Sequence, residues 1–299
     1  MQLYFPDTPD LPLPDGHMFP ATKYRLLRER LLAEGIASAG DMTPSPLATD
    51  RDLAAAHCPA YIRAATTGTL SREAQRAIGL PWSETLIARA RGTIGGALAA
   101  SRCALAAGVA GQLAGGTHHA HRDFGSGFCV FNDCAVVALT LLAERKVSRV
   151  AVLDLDVHQG DGNASILGPD PRVFVASVHG ANNFPFVKPP SDLDIGLPDG
   201  TDDAAYLAAA ETALDAVLAF RPDLVLYIAG VDPLAEDRLG KLAVTMSGLE
   251  VRDRRVLTRL QRAGVPVSIA IGGGYAEQIA LTVAAYANTF RVARDVFGG

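Results

Sequence analysis

Four short apolar runs limit the fold of this chain more than any other feature of its sequence. They lie at residues 150–155, 173–178, 224–229 and 265–271, are rich in β-branched residues and contain almost no charge. Runs of this kind are typical of strands that are buried on both faces of a parallel sheet. We therefore expect a parallel β-sheet at the centre of the fold.

Helical segments surround these runs. Residues 23–34 carry apolar and charged residues at helical spacing, and residues 83–111 and 201–220 are long, alanine-rich and poor in proline. Strands that alternate with helices predict an α/β fold with a mainly parallel sheet flanked by helices. No flexible linker or change of composition divides the chain, so we expect a single domain over residues 1–299. The long loop expected at 184–200 is a candidate functional segment.

The composition excludes several classes of protein. Of the 299 residues, 49% are hydrophobic and 20% are charged, which suffices for a large core. A net charge of -5 gives no broad basic surface, so we expect no direct binding of nucleic acid. No apolar run reaches the roughly 18 residues of a membrane span, and the first residues lack the basic start of a secretory signal. We therefore expect a cytoplasmic protein, and its four cysteines are too few for a disulfide framework.

The strongest local signal is a group of acidic residues and a histidine where the first apolar run ends. Asp154, Asp156 and His158 lie two residues apart, and Asp161 follows. In an extended chain, residues two apart share a face, so the first three could offer oxygen and nitrogen atoms to one ion. A polar loop with a capping aspartate is the alternative, but charges grouped beside an apolar strand are costly without a partner.

A further carboxylate, Asp232, follows another apolar run. Open α/β sheets bind ligands at the carboxyl ends of their strands, which is where this residue should lie. Two carboxylates and one histidine leave an open coordination position, which is the pattern of a catalytic zinc. Taken alone, an aspartate before a proline is often only a turn residue.

Two glycine-containing segments add groups suited to acid–base chemistry. His118 and His119 follow a pair of glycines, and histidine suits both proton abstraction and proton donation near neutral pH. Asp154 and Asp161 are the candidates for orienting these imidazoles. Tyr275 follows three glycines, where its phenol could donate a hydrogen bond to a developing oxyanion. A surface histidine pair and a packed tyrosine are the structural alternatives.

Taken in order along the chain, these segments resemble the histone deacetylase family, which has the arginase-like α/β fold and includes bacterial acyl-amide hydrolases. The resemblance covers nearly the whole chain and is greatest to the class IV type and to bacterial histone deacetylase-like amidohydrolases. The matching segments are residues 115–119, 126–129, 154–162, 229–235, 237–240 and 272–275, together with His17, Phe19-Pro20 and Lys23-Tyr24-Arg25 near the start.

The resemblance implies two metal sites. Asp156, His158 and Asp232 would ligate Zn2+, which would act as Lewis acid and activate the attacking water. A monovalent cation, K+, would lie close by. Its site would involve Asp154 and Ser177, the backbone of Val178, and two of the zinc ligands.

The resemblance also implies roles for the catalytic groups. His119 would act as general base toward the water, with Asp161 orienting it. His118, paired with Asp154, would supply electrostatic support or a proton to the leaving amine. Tyr275 would polarise the substrate carbonyl.

The substrate would enter a tunnel lined by aromatic rings. Gly127 and Phe128 match one wall of the acyl-lysine tunnel of the family, and either Phe184 or Phe186 would form the other wall. Many relatives use an acidic residue at the rim to hold the substrate backbone. No motif identifies it here, and Glu84 is the one candidate.

The sequence therefore predicts a zinc-dependent deacylase that hydrolyses the acyl amide of an acylated lysine, a polyamine or a small acyl-amine. A binuclear manganese ureohydrolase of the same fold is an alternative, although it needs additional bridging carboxylates. A non-catalytic acyl-lysine binding module is another, and the presence of His119 and Tyr275 argues against it. The acyl length and the identity of the amine stay open.

Overall fold

The computed structural model describes residues 1–298, which form one sheet of eight strands between helices. The strands are β1 (Gln2–Phe5), β2 (Met42–Pro44), β3 (Val109–Gln112), β4 (Val150–Asp154), β5 (Val173–Gly180), β6 (Leu193–Leu197), β7 (Leu224–Ile228) and β8 (Val267–Ala270). The helices are α1 (Lys23–Ala33), α2 (Asp50–Leu53), α3 (Pro59–Thr67), α4 (Arg72–Ile78), α5 (Glu84–Ala107), α6 (Asp133–Ala143), α7 (Asp161–Leu167), α8 (Asp203–Phe220), α9 (Met246–Arg262) and α10 (Ile279–Phe297). The α/β fold class is confirmed.

The strand order is β2-β1-β3-β8-β7-β4-β5-β6, and every neighbouring pair is parallel. The carboxyl ends of all strands therefore lie at one edge of the sheet. Since β3, β8, β7 and β4 are consecutive neighbours, the loops that follow them meet at the middle of that edge. These loops carry the four segments that the sequence marks as chemical.

Two hydrophobic clusters cover the two faces of the sheet. In β4, Ala151 and Leu153 belong to one cluster, while Val150 and Val152 belong to the other. Helices α1, α8, α9 and α10 contribute to the first cluster, and α5 and α6 contribute to the second. The prediction of strands buried on both faces is therefore correct for β4.

Two boundaries predicted from the sequence are wrong. The helix expected over residues 83–111 ends at Ala107, because Gly108 has a φ of 85° that ends α5 and lets the chain enter β3. The loop expected over 184–200 contains β6, an edge strand whose residues are only partly buried and which therefore lacks the uniform apolar signal of the central strands.

Helix α5 lies close to the segment that follows β2, and two of its glycines differ in the space around them. A Cβ atom on Gly95 would collide with the carbonyl oxygen of Pro46 and lie 3.1 Å from the amide nitrogen of Ala48. A Cβ atom on Gly92 would meet only Pro6 and Leu47, at 3.4 Å or more. The close approach therefore depends on Gly95 and not on Gly92.

We expect Gly95→Ala to lower the free energy of unfolding by about 1 to 3 kcal/mol, because backbone atoms cannot move aside as a flexible side chain can. Gly92→Ala is the matched control in the same helix, and its higher helix propensity should leave stability unchanged or raise it by up to about 1 kcal/mol. Denaturant unfolding measures both values. Equal effects of the two substitutions would contradict this account of the packing.

Candidate active site

The potential metal ligands come from two neighbouring strand ends. Asp156 and His158 follow β4, and Asp232 follows β7. All three are buried, and one ligand atom from each lies within 4.8 Å of the others. His158 Nδ1 is 3.0 Å from Asp156 Oδ1 and 3.1 Å from Asp232 Oδ2. The structure brings these three predicted ligands together, but not through a shared strand face, because β4 ends at Asp154 and the others lie in the following turn.

Backbone amides hold both carboxylates. Gly273 N donates to Asp156 Oδ2 at 2.6 Å, and Val157 N donates to Asp232 Oδ1 at 2.9 Å. A Cβ atom on Gly273 would collide with the Asp232 carboxylate. The glycine run after β8 is therefore needed for close approach of the backbone to these acids.

The electrostatics of this group favour a cation. Burial raises the pKa of Asp232 to about 7, and the charge of Asp156 acts in the same direction. Burial opposes ionisation of Asp156 as well, but His118 and His158 hold its pKa well below its usual range. Burial would lower the pKa of His158, and the two carboxylates outweigh it and raise the value to about 10. Two carboxylate oxygens and one imidazole nitrogen fit zinc and leave a position for water or substrate.

His118 and His119 lie beside this group, with ring centroids 4.1 Å apart. His118 Nδ1 is 2.8 Å from Asp154 Oδ2, and His119 Nδ1 is 2.6 Å from Asp161 Oδ1. Each predicted imidazole–carboxylate pair is therefore present in the geometry. Asp161 also lies 3.1 Å from His121 Nε2, a contact that the sequence did not indicate.

The pKa values of the two imidazoles are shifted in opposite directions. Burial would lower the pKa of His118, but the nearby carboxylates of Asp154 and Asp156 raise it to about 9. Burial lowers the pKa of His119 to about 4, and the charge of His118 acts in the same direction. The nearby carboxylates therefore favour the protonated form of His118, and burial favours the neutral form of His119, which can accept a proton.

The loop that carries the histidines is held by two residues whose role sequence reasoning missed. Asp133, the first residue of α6, accepts hydrogen bonds from the amides of Gly116 and Thr117, both at 2.9 Å. His57 Nε2 accepts from the amide of Asn132 at 2.9 Å, and its Nδ1 lies 2.9 Å from the carbonyl of His121. His57 is distant in sequence and belongs to no local pattern, so only the structure identifies it.

The site lies where two cavities meet. An outer cavity opens to solvent, and an inner cavity extends toward Lys23 and Arg89. The residues that line both cavities are His119, Gly127, Phe128, His158 and Tyr275.

Tyr275 is fixed by its backbone. Its amide donates to Asp237 Oδ2 at 2.5 Å, and its carbonyl accepts from Arg238 Nε at 2.9 Å. The phenol ring is 6.4 Å from the ring of His158, measured between centroids. With its backbone N–H and carbonyl both hydrogen-bonded, Tyr275 lines the inner cavity together with Asp156 and His158.

The three aromatic residues predicted to line the substrate tunnel differ in position and exposure. Phe128 has a φ of 67°, and its backbone amide donates to the carbonyl of Ile78 at 2.8 Å. The ring of Phe184 lies 4.9 Å from that of His119, whereas Phe186 is 85% exposed and 6.1 Å from Phe184. Phe184 is therefore placed beside His119, and Phe186 lies at the outer mouth.

The residues of the predicted potassium site are adjacent across two strands. Asp154 of β4 is in register with Ser177 of β5, and Val178 follows. The hydroxyl of Ser177 is 2.9 Å from His179 Nδ1. The potassium site stays a prediction.

Comparisons with known proteins agree with this fold. The histone deacetylase domain matches residues 17–290. An uncharacterized protein of Picosynechococcus is 45% identical over 296 residues, 99% of this chain and 98% of that protein. Histone deacetylase 2 of Arabidopsis thaliana is 28% identical over 90% of this chain and 72% of its own length. The acetoin utilization protein AcuC of Staphylococcus aureus is 30% identical over 79% of this chain and 66% of its own length.

Solved structures share the fold. An acetylpolyamine aminohydrolase from Burkholderia pseudomallei superposes with a TM-score of 0.77 at 22% identity, covering 99% of both chains. The HDA15 HD domain superposes with a TM-score of 0.80 at 22% identity, covering 99% of this chain and 88% of that domain.

The fold and the domain match define a hydrolase that acts on amides. The chain belongs to the histone deacetylase family, and the resemblance stated from its motifs is confirmed. In the part of the chain that the structure describes, no helix combines the length and apolar character needed to span a membrane.

The buried His57 predicts a pH dependence of stability. Burial lowers its pKa from 6.5 to about 4, so the unfolded chain binds a proton more readily than the folded one in that interval. Stability is lost as the pH falls from 6.5 toward 4. In denaturant unfolding, the wild type should have a higher free energy of unfolding than His57→Gln at pH 6.5. This difference should decrease by up to about 3 kcal/mol as the pH falls to 4. A difference that is constant with pH would contradict a neutral His57.

Proposed function

We propose that this chain is a zinc-dependent deacylase that hydrolyses the acyl amide of an acylated lysine or a related amine. The observation that carries the proposal is the convergence of Asp156, His158 and Asp232 beside His119 at the junction of the two cavities. The family match supports deacylase chemistry on acyl-amines. The proposal takes residues 1–299 as a single catalytic domain.

Asp156, His158 and Asp232 would hold the zinc ion. When bound, zinc acts as a Lewis acid on the substrate carbonyl and lowers the pKa of water. The described residues bring together one group of three such ligands, which supports a single ion over the two of a manganese ureohydrolase. A K+ ion near Asp154 and Ser177 is part of the same proposal, resting on the resemblance of their segment.

The protein's own groups move the protons. His119 is neutral and takes a proton from the attacking water, and Asp161 holds its imidazole in the required tautomer. His118 is protonated and donates to the nitrogen of the leaving amine. The phenol of Tyr275, whose pKa burial raises well above the usual value, keeps its proton and donates to the carbonyl oxygen.

The arrangement of the two cavities implies one orientation for the bound substrate. The amine stem would pass between Phe128 and Phe184 in the outer cavity, where apolar rings suit methylene groups. The acyl group would then point into the inner cavity, past Tyr275. The retained base and phenol argue for turnover and against a module that only binds acyl-lysine.

Metal analysis tests the zinc centre. We expect about one zinc per chain by elemental analysis, with activity lost on chelation and restored by zinc. Asp232→Asn should weaken zinc affinity by more than the roughly 10- to 100-fold that loss of an outer hydrogen-bond partner costs. Asp295→Asn, on the exposed face of α10, is the control and should leave affinity unchanged. Two manganese ions per chain would contradict the proposal.

Tyr275→Phe tests the oxyanion donor. It removes one hydroxyl, so kcat on an acyl-lysine peptide should fall by about 10²- to 10³-fold while zinc content is unchanged. Tyr4→Phe is the matched control, because Tyr4 lies in β1 and outside the lining of both cavities. An unaltered rate in Tyr275→Phe would exclude the role assigned to the phenol.

A further inference from the structure

The outer cavity has no carboxylate in its lining. Its described lining residues include Lys241 as the one lysine or arginine, and none of them is an aspartate or a glutamate. Glu84, the acidic rim candidate, begins α5 and does not line this cavity. The amine side of a substrate therefore meets apolar rings, asparagines and a positive charge.

Lys241 lines the opening, and Lys188 and Arg238 bond to residues that line it; all three bond to neutral oxygens. Lys241 Nζ donates to the carbonyl of Asn182 at 3.0 Å, and Lys188 Nζ donates to that of Asn183 at 2.7 Å. Arg238 Nε donates to the carbonyl of Tyr275 at 2.9 Å. Among residues 1–298, none of these three side chains forms an ion pair with a carboxylate, so their charges are not neutralised by direct contact.

Lys188 and Lys241 lie close enough for their charges to interact. Burial lowers the pKa of Lys188, the carboxylates of Asp161 and Asp194 oppose this shift, and the charge of Lys241 adds to it. Lys241 is exposed and lines the cavity directly, whereas Lys188 is half-buried behind the loop that it holds. Lys241 is therefore the cation that a substrate group would meet first.

Acids near the opening are hydrogen-bonded to other groups, and Asp237 accepts from the backbone amides of Leu239, Gly240 and Tyr275. Asp194 accepts from Gln159 at 2.7 Å, and Asp161 is shared by His119 and His121. Asp199 is exposed, lies 3.3 Å from the amide nitrogen of the Asn182 side chain, and does not line the cavity. The lining of the outer cavity thus contains a lysine and no carboxylate, although the whole chain has a net charge of -5.

We propose that the site selects acyl amides whose amine portion carries an anionic group and no second ammonium, with Lys241 as the specificity-determining residue. This inference rests on the proposed deacylase function and names the class of amine. A carboxylate at the far end of the stem would lie in an attractive field, and the second ammonium of a polyamine would lie in a repulsive one.

Three acetyl amides with the same five-carbon stem, ending in a carboxylate, a methyl group or an ammonium, separate charge from shape. We expect kcat/KM to fall from the anion to the neutral compound to the cation, by about three- to tenfold per step, since exposed pairs are individually weak. Higher salt should reduce the differences in kcat/KM among the three amides. Lys241→Gln should remove most of these differences, and Lys241→Glu should reverse the order of the three kcat/KM values.

Lys146→Glu is the matched control. Lys146 is exposed and precedes β4, so it lies at the opposite edge of the sheet, and the same change in net charge should leave the order intact. A wild-type enzyme that prefers the cation or shows no preference would overturn the proposal. So would an order that Lys241→Glu leaves unchanged.

Binding of the three amides to the Tyr275→Phe variant, measured by calorimetry, distinguishes the two levels of inference. If no amide is hydrolysed by the wild type but the anion binds most tightly, the deacylase function fails and the charge selectivity stands. If the amides are hydrolysed but bind without regard to charge, the selectivity fails and the function stands.

Discussion

The site depends on holding two buried carboxylates beside each other at the middle of the sheet edge. Asp156 and Asp232 are almost fully buried, and burial of two like charges is costly unless donors and a cation surround them. The backbone amides of Val157 and Gly273 and the imidazole of His158 provide the donors. The parallel arrangement makes this possible, because it brings turns from distant parts of the chain to the same place.

A second buried network of hydrogen bonds joins helices α8 and α9 to the turn after β7 and supports this edge of the sheet. Arg252 of α9 is fully buried, donates to the carbonyl of Gly230 at 2.5 Å and bonds to the hydroxyl of Tyr206 at 3.1 Å. Asp253 accepts from Arg252 Nε at 2.9 Å. Gly230 lies two residues before Asp232, so the helix layer fixes the turn that presents this carboxylate. The packing of helices α8 and α9 therefore helps to fix the position of Asp232.

The sequence predicted the central strands and the groups at their ends because both leave strong local signals. Uniform apolar runs reveal strands buried on both faces, as in β4, whereas β1, β2 and β6 are too exposed to contain such a run. The argument that Asp156 and His158 share a strand face was wrong, since the strand ends before them. His57 could not be found, because its contacts join segments more than 60 residues apart. The choice between the two phenylalanines depends on loop conformation, which residue spacing does not encode.

The shared lining of the two cavities couples two kinds of selectivity. Phe128 and Tyr275 line both the inner cavity, proposed for the acyl group, and the outer cavity, proposed for the amine, so a change in either ring would alter both recognition steps together. Residues that border one cavity alone, such as Leu80 inside and Leu239 outside, are free of this constraint. Divergence of acyl preference without loss of amine preference should therefore proceed through the inner lining, leaving the narrow junction unchanged.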